Sequence, residues 1–172
     1  ESPQVKVRCP RTARLKIPNY ITNNSSLNDD IEKLLPPNYS FELHKTIWFI
    51  IEKKAKLVAL QFPEGLTLFA CALSDIIQKY CECETMIMSD IVYGACCVDD
   101  YTAHQFGADA LIHYGHSCLV PIQATEFCSV LYIFVEIKID IDHFISSIVH
   151  SFDKDAKLSF VSTIQFVPSL HV

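Results

Sequence analysis

Two adjacent thiols, Cys96 and Cys97, stand in the run Tyr93-Gly94-Ala95-Cys96-Cys97-Val98-Asp99-Asp100, between a segment that reads as a strand and one that reads as a helix. A thiolate ligates soft metals and attacks electrophiles, and the positive end of a following helix favours that ionised form. Side chains of neighbouring cysteines diverge at a turn, so one is expected to act and the other to pack. Burial competes with chemistry at both positions, because free cysteine is among the most buried residue types.

Two other loops carry unusual residues. His113-Tyr114-Gly115-His116-Ser117-Cys118 is expected to open on the same edge as Cys96, which makes a zinc site of Cys96, His116 and Cys118 conceivable. The spacing fits no finger, ribbon or knuckle, and a single histidine is more often satisfied or solvated. Gln61-Phe62-Pro63-Glu64-Gly65 leads from a strand into a helix whose amino end could receive an anion. With one glycine it is neither a Rossmann fingerprint nor a Walker loop, and a plain helix cap is the default. Cys81-Glu82-Cys83 has one intervening residue, too few for a zinc knuckle, and reads as structural. Cys9, Cys71 and Cys128 have no partner in sequence, and no Gly-x-Ser-x-Gly elbow or His-Glu-x-x-His helix occurs.

The elements that must position these residues alternate. A helix around Ile47, Trp48, Ile50 and Ile51 precedes a buried strand, Leu57-Val58-Ala59-Leu60. Leu66, Phe69, Ala70, Leu73, Ile76, Ile77 and Tyr80 then form an apolar stripe at helical spacing. A strand at 84–88, a helix at 98–106 capped by Asp99 or Asp100 and closed by Gly107, and strands at 109–113 and 130–135 follow. A helix from Asp140 to His150 comes next. Leu158–Ser162 reads as a fifth strand and Thr163–Val172 as the start of a helix. Strands alternating with helices predict an α/β fold, a doubly wound, mostly parallel sheet flanked by helices. Ligands bind beyond the carboxyl ends of such strands, which puts loops 61–65, 89–97 and 113–121 in view.

Residues 1–40, with five prolines and the polar run Asn23-Asn24-Ser25-Ser26, read as an extended arm outside the core with at most a short helix near 27–34. Lys6, Arg8, Arg11, Arg14 and Lys16 make it locally basic, the mark of a solvated tail. The chain has 172 residues, half of them hydrophobic, enough for one packed domain. A net charge of −6 argues against nucleic acid as a partner. No run of about 18 apolar residues and no signal-type amino terminus occurs, so no membrane is implied, a cytoplasmic location is expected, and the eight cysteines are expected to be reduced. The chain starts at Glu1 without an initiator Met and stops at Val172 in an apolar stretch, so both ends are expected to be cuts.

Taken in order, the Gln61–Gly65, Tyr93–Asp100 and His113–Leu119 motifs, with Val161-Ser162-Thr163-Ile164-Gln165-Phe166, closely resemble the eukaryotic 2-(3-amino-3-carboxypropyl)histidine synthases of diphthamide synthesis, from about Pro36 to Val167. Ala95, Asp100, His116-Ser117 and Val161–Phe166 resemble the subunit 1 branch rather than the paralogous subunit 2. The resemblance implies a radical transferase that cleaves S-adenosylmethionine at a 4Fe-4S cluster. Its 3-amino-3-carboxypropyl group goes to a histidine of translation elongation factor 2, in the first step of diphthamide biosynthesis. It implies three similar domains, each lending one cysteine to the cluster, here Cys96, and as partners subunit 2 in a heterodimer, elongation factor 2 and an electron donor protein.

On that likeness the chain divides into an arm (1–40), the first α/β domain (41–156) and the opening of a second domain (157–172). The other two cluster cysteines are then expected beyond Val172, and this chain alone is expected to be inactive. The likeness assigns no catalytic side chain, no residue that grips S-adenosylmethionine and no elongation-factor contact. A non-catalytic α/β scaffold module, with its cysteines buried, is the alternative reading.

Overall fold

A run such as Ala110-Leu111-Ile112-His113-Tyr114 offers no polar side to water, and the structure buries all of it. The computed structural model describes residues 16–88, 98–115 and 121–170. In chain order these form helices α1 (Asn19–Thr22) and α2 (Ser25–Leu34), strand β1 (Tyr39–Ser40), helix α3 (Leu43–Lys53) and strand β2 (Leu57–Gln61). Helix α4 (Ala70–Tyr80), strand β3 (Glu84–Met88), helix α5 (Asp100–Gln105) and strand β4 (Ala110–Gly115) follow. Strands β5 (Ser129–Phe134) and β6 (Glu136–Ile137) and helix α6 (Ile141–Ser151) come last.

Four strands pair in parallel in the order β3-β2-β4-β5. The chain leaves β2 towards β3 on one side, and β4 lies on the other, so the direction of winding switches between β2 and β4. That is the expected doubly wound sheet. Alternation along each strand sorts side chains into two layers. Val58, Leu60, Ala110, Ile112, Leu131 and Ile133 join the larger core with Ile47 and Ile50 of α3 and Leu73, Ile76 and Ile77 of α4. Ala59, Leu111, Val130 and Tyr132 face the other way, where Ala103 of α5 covers them. β1 and β6 form a separate antiparallel pair.

Asp109 ties the amino ends of the two central strands. Its carboxylate accepts from the backbone N–H of Lys56 (2.7 Å) and Leu57 (3.0 Å). Those bonds, Leu57's foremost, hold the carboxyl below its ordinary range against a small opposing effect of burial. A depressed folded-state pKa means stability that is present above the unfolded carboxyl pKa and lost as pH falls through the folded one. Asp109→Asn is therefore expected to cost about 1 kcal/mol at neutral pH, modest because the group is exposed. The gap to the native protein should close as acid protonates Asp109, and denaturant titrations at pH 7 and near pH 3 would show it.

Two expectations are corrected. Part of the arm belongs to the core: Ile21, Leu27 and Leu35 are 3%, 1% and 6% exposed and pack with α3 and α4. Pro18 precedes α1 and Pro36 follows α2, so these prolines punctuate helices instead of preventing them. The Asn24 side chain caps α2 by accepting from Leu27 N–H (3.1 Å). Asp30 of α2 then receives Lys79 Nζ (2.6 Å) and the Tyr80 hydroxyl (2.5 Å) from α4. The helix expected near 27–34 is present.

The second correction concerns residues 158–170. Leu158–Ser162 forms no strand, and a short 3-10 turn at Val167–Leu170 stands where an α-helix was expected. A strand needs a neighbour for its backbone groups. Among the described residues the segment's bonds to the rest of the chain go to Ile137 alone, whose N–H donates to Gln165 O (2.9 Å) and whose carbonyl accepts from Ser169 Oγ (3.4 Å), and Val161 is 98% exposed. Among the described residues no helix is long and apolar enough to cross a membrane.

Candidate functional site

The winding switch puts the carboxyl ends of β2 and β4 side by side, and each strand carries a buried polar residue there, Gln61 at the end of β2 and His113 two residues before the end of β4. Gln61 and His113 are partners in the strand register and are 1% and 2% exposed. Gln61 Oε1 lies 2.8 Å from His113 Nδ1 and also receives Asp99 N–H at 3.4 Å. A backbone N–H can only donate, so the amide oxygen faces both groups, and Nδ1 of His113 must carry a hydrogen. The Tyr132 ring meets the imidazole edge-on at 5.5 Å.

Gln61 also organises the motif that carries Cys96. Met88, the last residue of β3, is its register partner on the other side, and Asp99, the first residue before α5, donates to its side chain. The stretch between them thus leaves from and returns to one buried glutamine at the switch point. Asp99 caps α5 by accepting from Thr102 N–H (3.0 Å). The Asp100 carboxylate accepts from the N–H groups of Glu126 (3.0 Å) and Phe127 (3.3 Å), which fastens α5 to the loop before β5. The helix expected to favour a Cys96 thiolate is only six residues long, and two carboxylates stand at its amino end.

Of the residues singled out in the sequence, Cys96, Cys97, His116, Ser117, Cys118 and Cys9 lie outside the described residues, and with them the zinc reading. His113 is a buried core histidine that bonds Gln61 through Nδ1. Gly65 follows Pro63 into a 3-10 turn (Glu64–Phe69) that continues as α4. A Cβ there would meet nothing within 4 Å, so no close approach requires this glycine. A largely apolar cavity of about 280 Å³ nevertheless opens at this edge, lined by Pro63, Gly65, Leu66, Gly115, Val135 and Gln165 among others. Cys128 is half-buried, and burial with the nearby Asp100 carboxylate pushes its thiol up to about 11, an inert state. No cluster of three or more His, Cys, Asp or Glu residues able to hold a metal occurs among the described residues.

Sequence reasoning picked the loops but missed the Gln61–His113 pair. A signal was available: each is a polar residue that follows an apolar run, Leu57–Leu60 and Ala110–Ile112, near the carboxyl end of a predicted strand.

A parallel α/β domain with its polar residues gathered at the switch point defines a ligand-handling class rather than one protein. The comparisons narrow it. Residues 62–172 match the family described as "Putative diphthamide synthesis protein". The chain is 52% identical over 164 residues to the zebrafish (Danio rerio) 2-(3-amino-3-carboxypropyl)histidine synthase subunit 1, covering 95% of this chain and 43% of that protein. It is 54% identical over 156 residues to the Schizosaccharomyces pombe subunit 1, covering 91% and 35%. The chain belongs to the diphthamide synthesis family, and it spans well under half the length of these relatives.

Among solved structures, Dph2 from Pyrococcus horikoshii is similar at a TM-score of 0.54 and 25% identity, over 64% of this chain and 32% of that one. A second structure of that protein, with a 4Fe-4S cluster, matches at 0.54 and 26%, over 63% and 31%. The resemblance to subunit 1 read from the motifs is borne out.

Proposed function

We propose that this chain carries the cluster-bearing first domain of a 2-(3-amino-3-carboxypropyl)histidine synthase subunit 1, residues 41–156 with the segment 19–35 packed on the same core. The longer protein moves the 3-amino-3-carboxypropyl group of S-adenosylmethionine to a histidine of translation elongation factor 2. The observation that carries the reading is identity above 50% with two subunit 1 proteins over more than nine tenths of the chain. The 4Fe-4S cluster bound by Pyrococcus horikoshii Dph2 supports an iron-sulfur cofactor here.

Cys96 is the ligand on this reading, since thiolates hold such clusters and its motif is anchored to the switch point through Gln61. When bound, the cluster supplies the electron that cleaves S-adenosylmethionine. This domain's own residues position: Gln61 gathers β2, β3, β4 and the start of α5, His113 braces it, and Asp100 fixes the neighbouring loop. Residues 157–172 open the second domain. The partners are the paralogous subunit 2, elongation factor 2 and an electron donor protein, in the cytoplasm.

The full-length protein, purified anaerobically with the paralogous subunit and reconstituted with iron and sulfide, is expected to add the mass of the 3-amino-3-carboxypropyl group to elongation factor 2. S-adenosylmethionine and a reductant are both required. Absence of that adduct, with the cluster present, would defeat the reading.

A further inference from the structure

The sheet's other end holds a second thiol pair. Cys81 closes α4, its N–H bonding Ile77 O at 2.8 Å, and its backbone is extended (φ −124, ψ 142). The chain then bends at Cys81 and Glu82 on its way into β3, and burial alternates along it: Cys81 is buried, Glu82 exposed and Cys83 half-buried. Both sulfurs line an open cleft of about 560 Å³ with Gln78 and Lys56. Lys56 Nζ donates to Glu82 O (3.5 Å), the carbonyl between the two cysteines. The nearby Cys81 thiol and then the Lys56 ammonium hold Cys83 below the ordinary thiol range, against burial, while Cys83 and burial push Cys81 up. A half-buried thiol held below its ordinary range beside a lysine, with a second thiol two residues away on the same open cleft, is the arrangement of a sulfur that oxidises and another that resolves it.

We propose that Cys81 and Cys83 form a reversible dithiol–disulfide couple responsive to hydroperoxides, separate from the cluster site. The Cys83 thiolate attacks the peroxide, the O–O bond breaks, and the leaving oxide takes up a proton, so sulfur is oxidised to a sulfenic acid. The Cys81 sulfur then attacks Cys83, the S–O bond breaks, and water departs with the Cys81 proton. With hydrogen peroxide the balance is two thiols and one peroxide giving one disulfide and two waters. A ring that spans one residue is strained, which makes the disulfide easily reduced by small thiols.

The test is stoichiometric hydrogen peroxide on the full-length protein, followed by alkylation under denaturing conditions and peptide mass analysis. The peptide holding Cys81 and Cys83 is expected to lose the mass of two hydrogens and both alkylation sites, and dithiothreitol should restore them. Cys71, which is exposed and has no neighbouring thiol in sequence, should stay alkylatable. In Cys81→Ser, Cys83 should stop at the sulfenic acid, trapped by a dimedone adduct. Retention of both alkylatable thiols in the native protein, or oxidation of Cys83 to the sulfinic acid with no disulfide, would overturn the proposal. So would a disulfide from either cysteine to another residue.

Discussion

Cys96→Ala in the full-length protein is expected to lower bound iron after anaerobic reconstitution by at least about tenfold, and to abolish transfer to elongation factor 2. Losing even an outer partner of a metal ligand costs about 10- to 100-fold in metal affinity, and a thiolate ligand itself carries more. The neighbouring thiols make the test selective. Cys97→Ala and Cys118→Ala should keep their iron, because the assignment gives one cysteine per domain to the cluster. The described residues on both flanks of the segment meet Gln61: Met88 is its partner in the sheet, and Asp99 donates to its side chain. Iron per protein, cluster absorbance and unchanged far-ultraviolet dichroism together decide it. Full iron in Cys96→Ala, or loss in Cys118→Ala instead, would move the ligand.

The sheet was legible because three of its four strands, β2, β4 and β5, are buried on both faces. Leu57–Leu60 and Val130–Val135 are continuous apolar runs, which parallel strands covered by helices require, and their ends came within a residue or two. Helix α4 was legible from the stripe Leu73, Ile76, Ile77. Less legible was residues 19–35, where polar residues and prolines suggested an arm. Three buried side chains, Ile21, Leu27 and Leu35, suffice to dock the segment, and no local pattern announces a partner as distant as Lys79. Leu158–Ser162 failed in the opposite direction: its composition suits a strand, but a strand is a pairing, and composition cannot supply the neighbour. At the site, residue types and loop positions could be read along the chain. The Gln61–His113 bond depends on which strands are adjacent and in what register, and that is a property of the assembled sheet.

The second large effect is expected at Phe62, the first residue past β2 and the start of the loop that borders the cavity. Phe62 is fully buried and stacks on Tyr114 at 4.8 Å, with the rings 6° from parallel. Tyr114 is fully buried too. It meets Phe41 edge-on at 6.4 Å, and its hydroxyl reaches Thr46 Oγ1 of α3 at 3.4 Å. Burial pushes that phenol above its ordinary range, so it stays a neutral hydroxyl. Phe62 therefore joins the carboxyl ends of β2 and β4 to α3 and the β1 segment, and the stacked pair follows Gln61 and His113 by one residue on each strand. Phe62→Ala leaves a cavity that rigid strands cannot close, at a cost of about 3–5 kcal/mol, a large share of the roughly 5–15 kcal/mol that holds a typical protein together. Amide hydrogen exchange of β2 and β4 in the full-length protein would report it locally, as protection lower by about two to three and a half orders of magnitude. Phe62→Leu keeps most of the volume and should recover all but about 1.5 kcal/mol. Since Gln61 precedes Phe62 and gathers both flanks of the Cys96 motif, the alanine variant should also lose cluster iron while the leucine variant retains it. Equal iron in both, with the exchange difference present, would show that the motif is held independently of this aromatic stack.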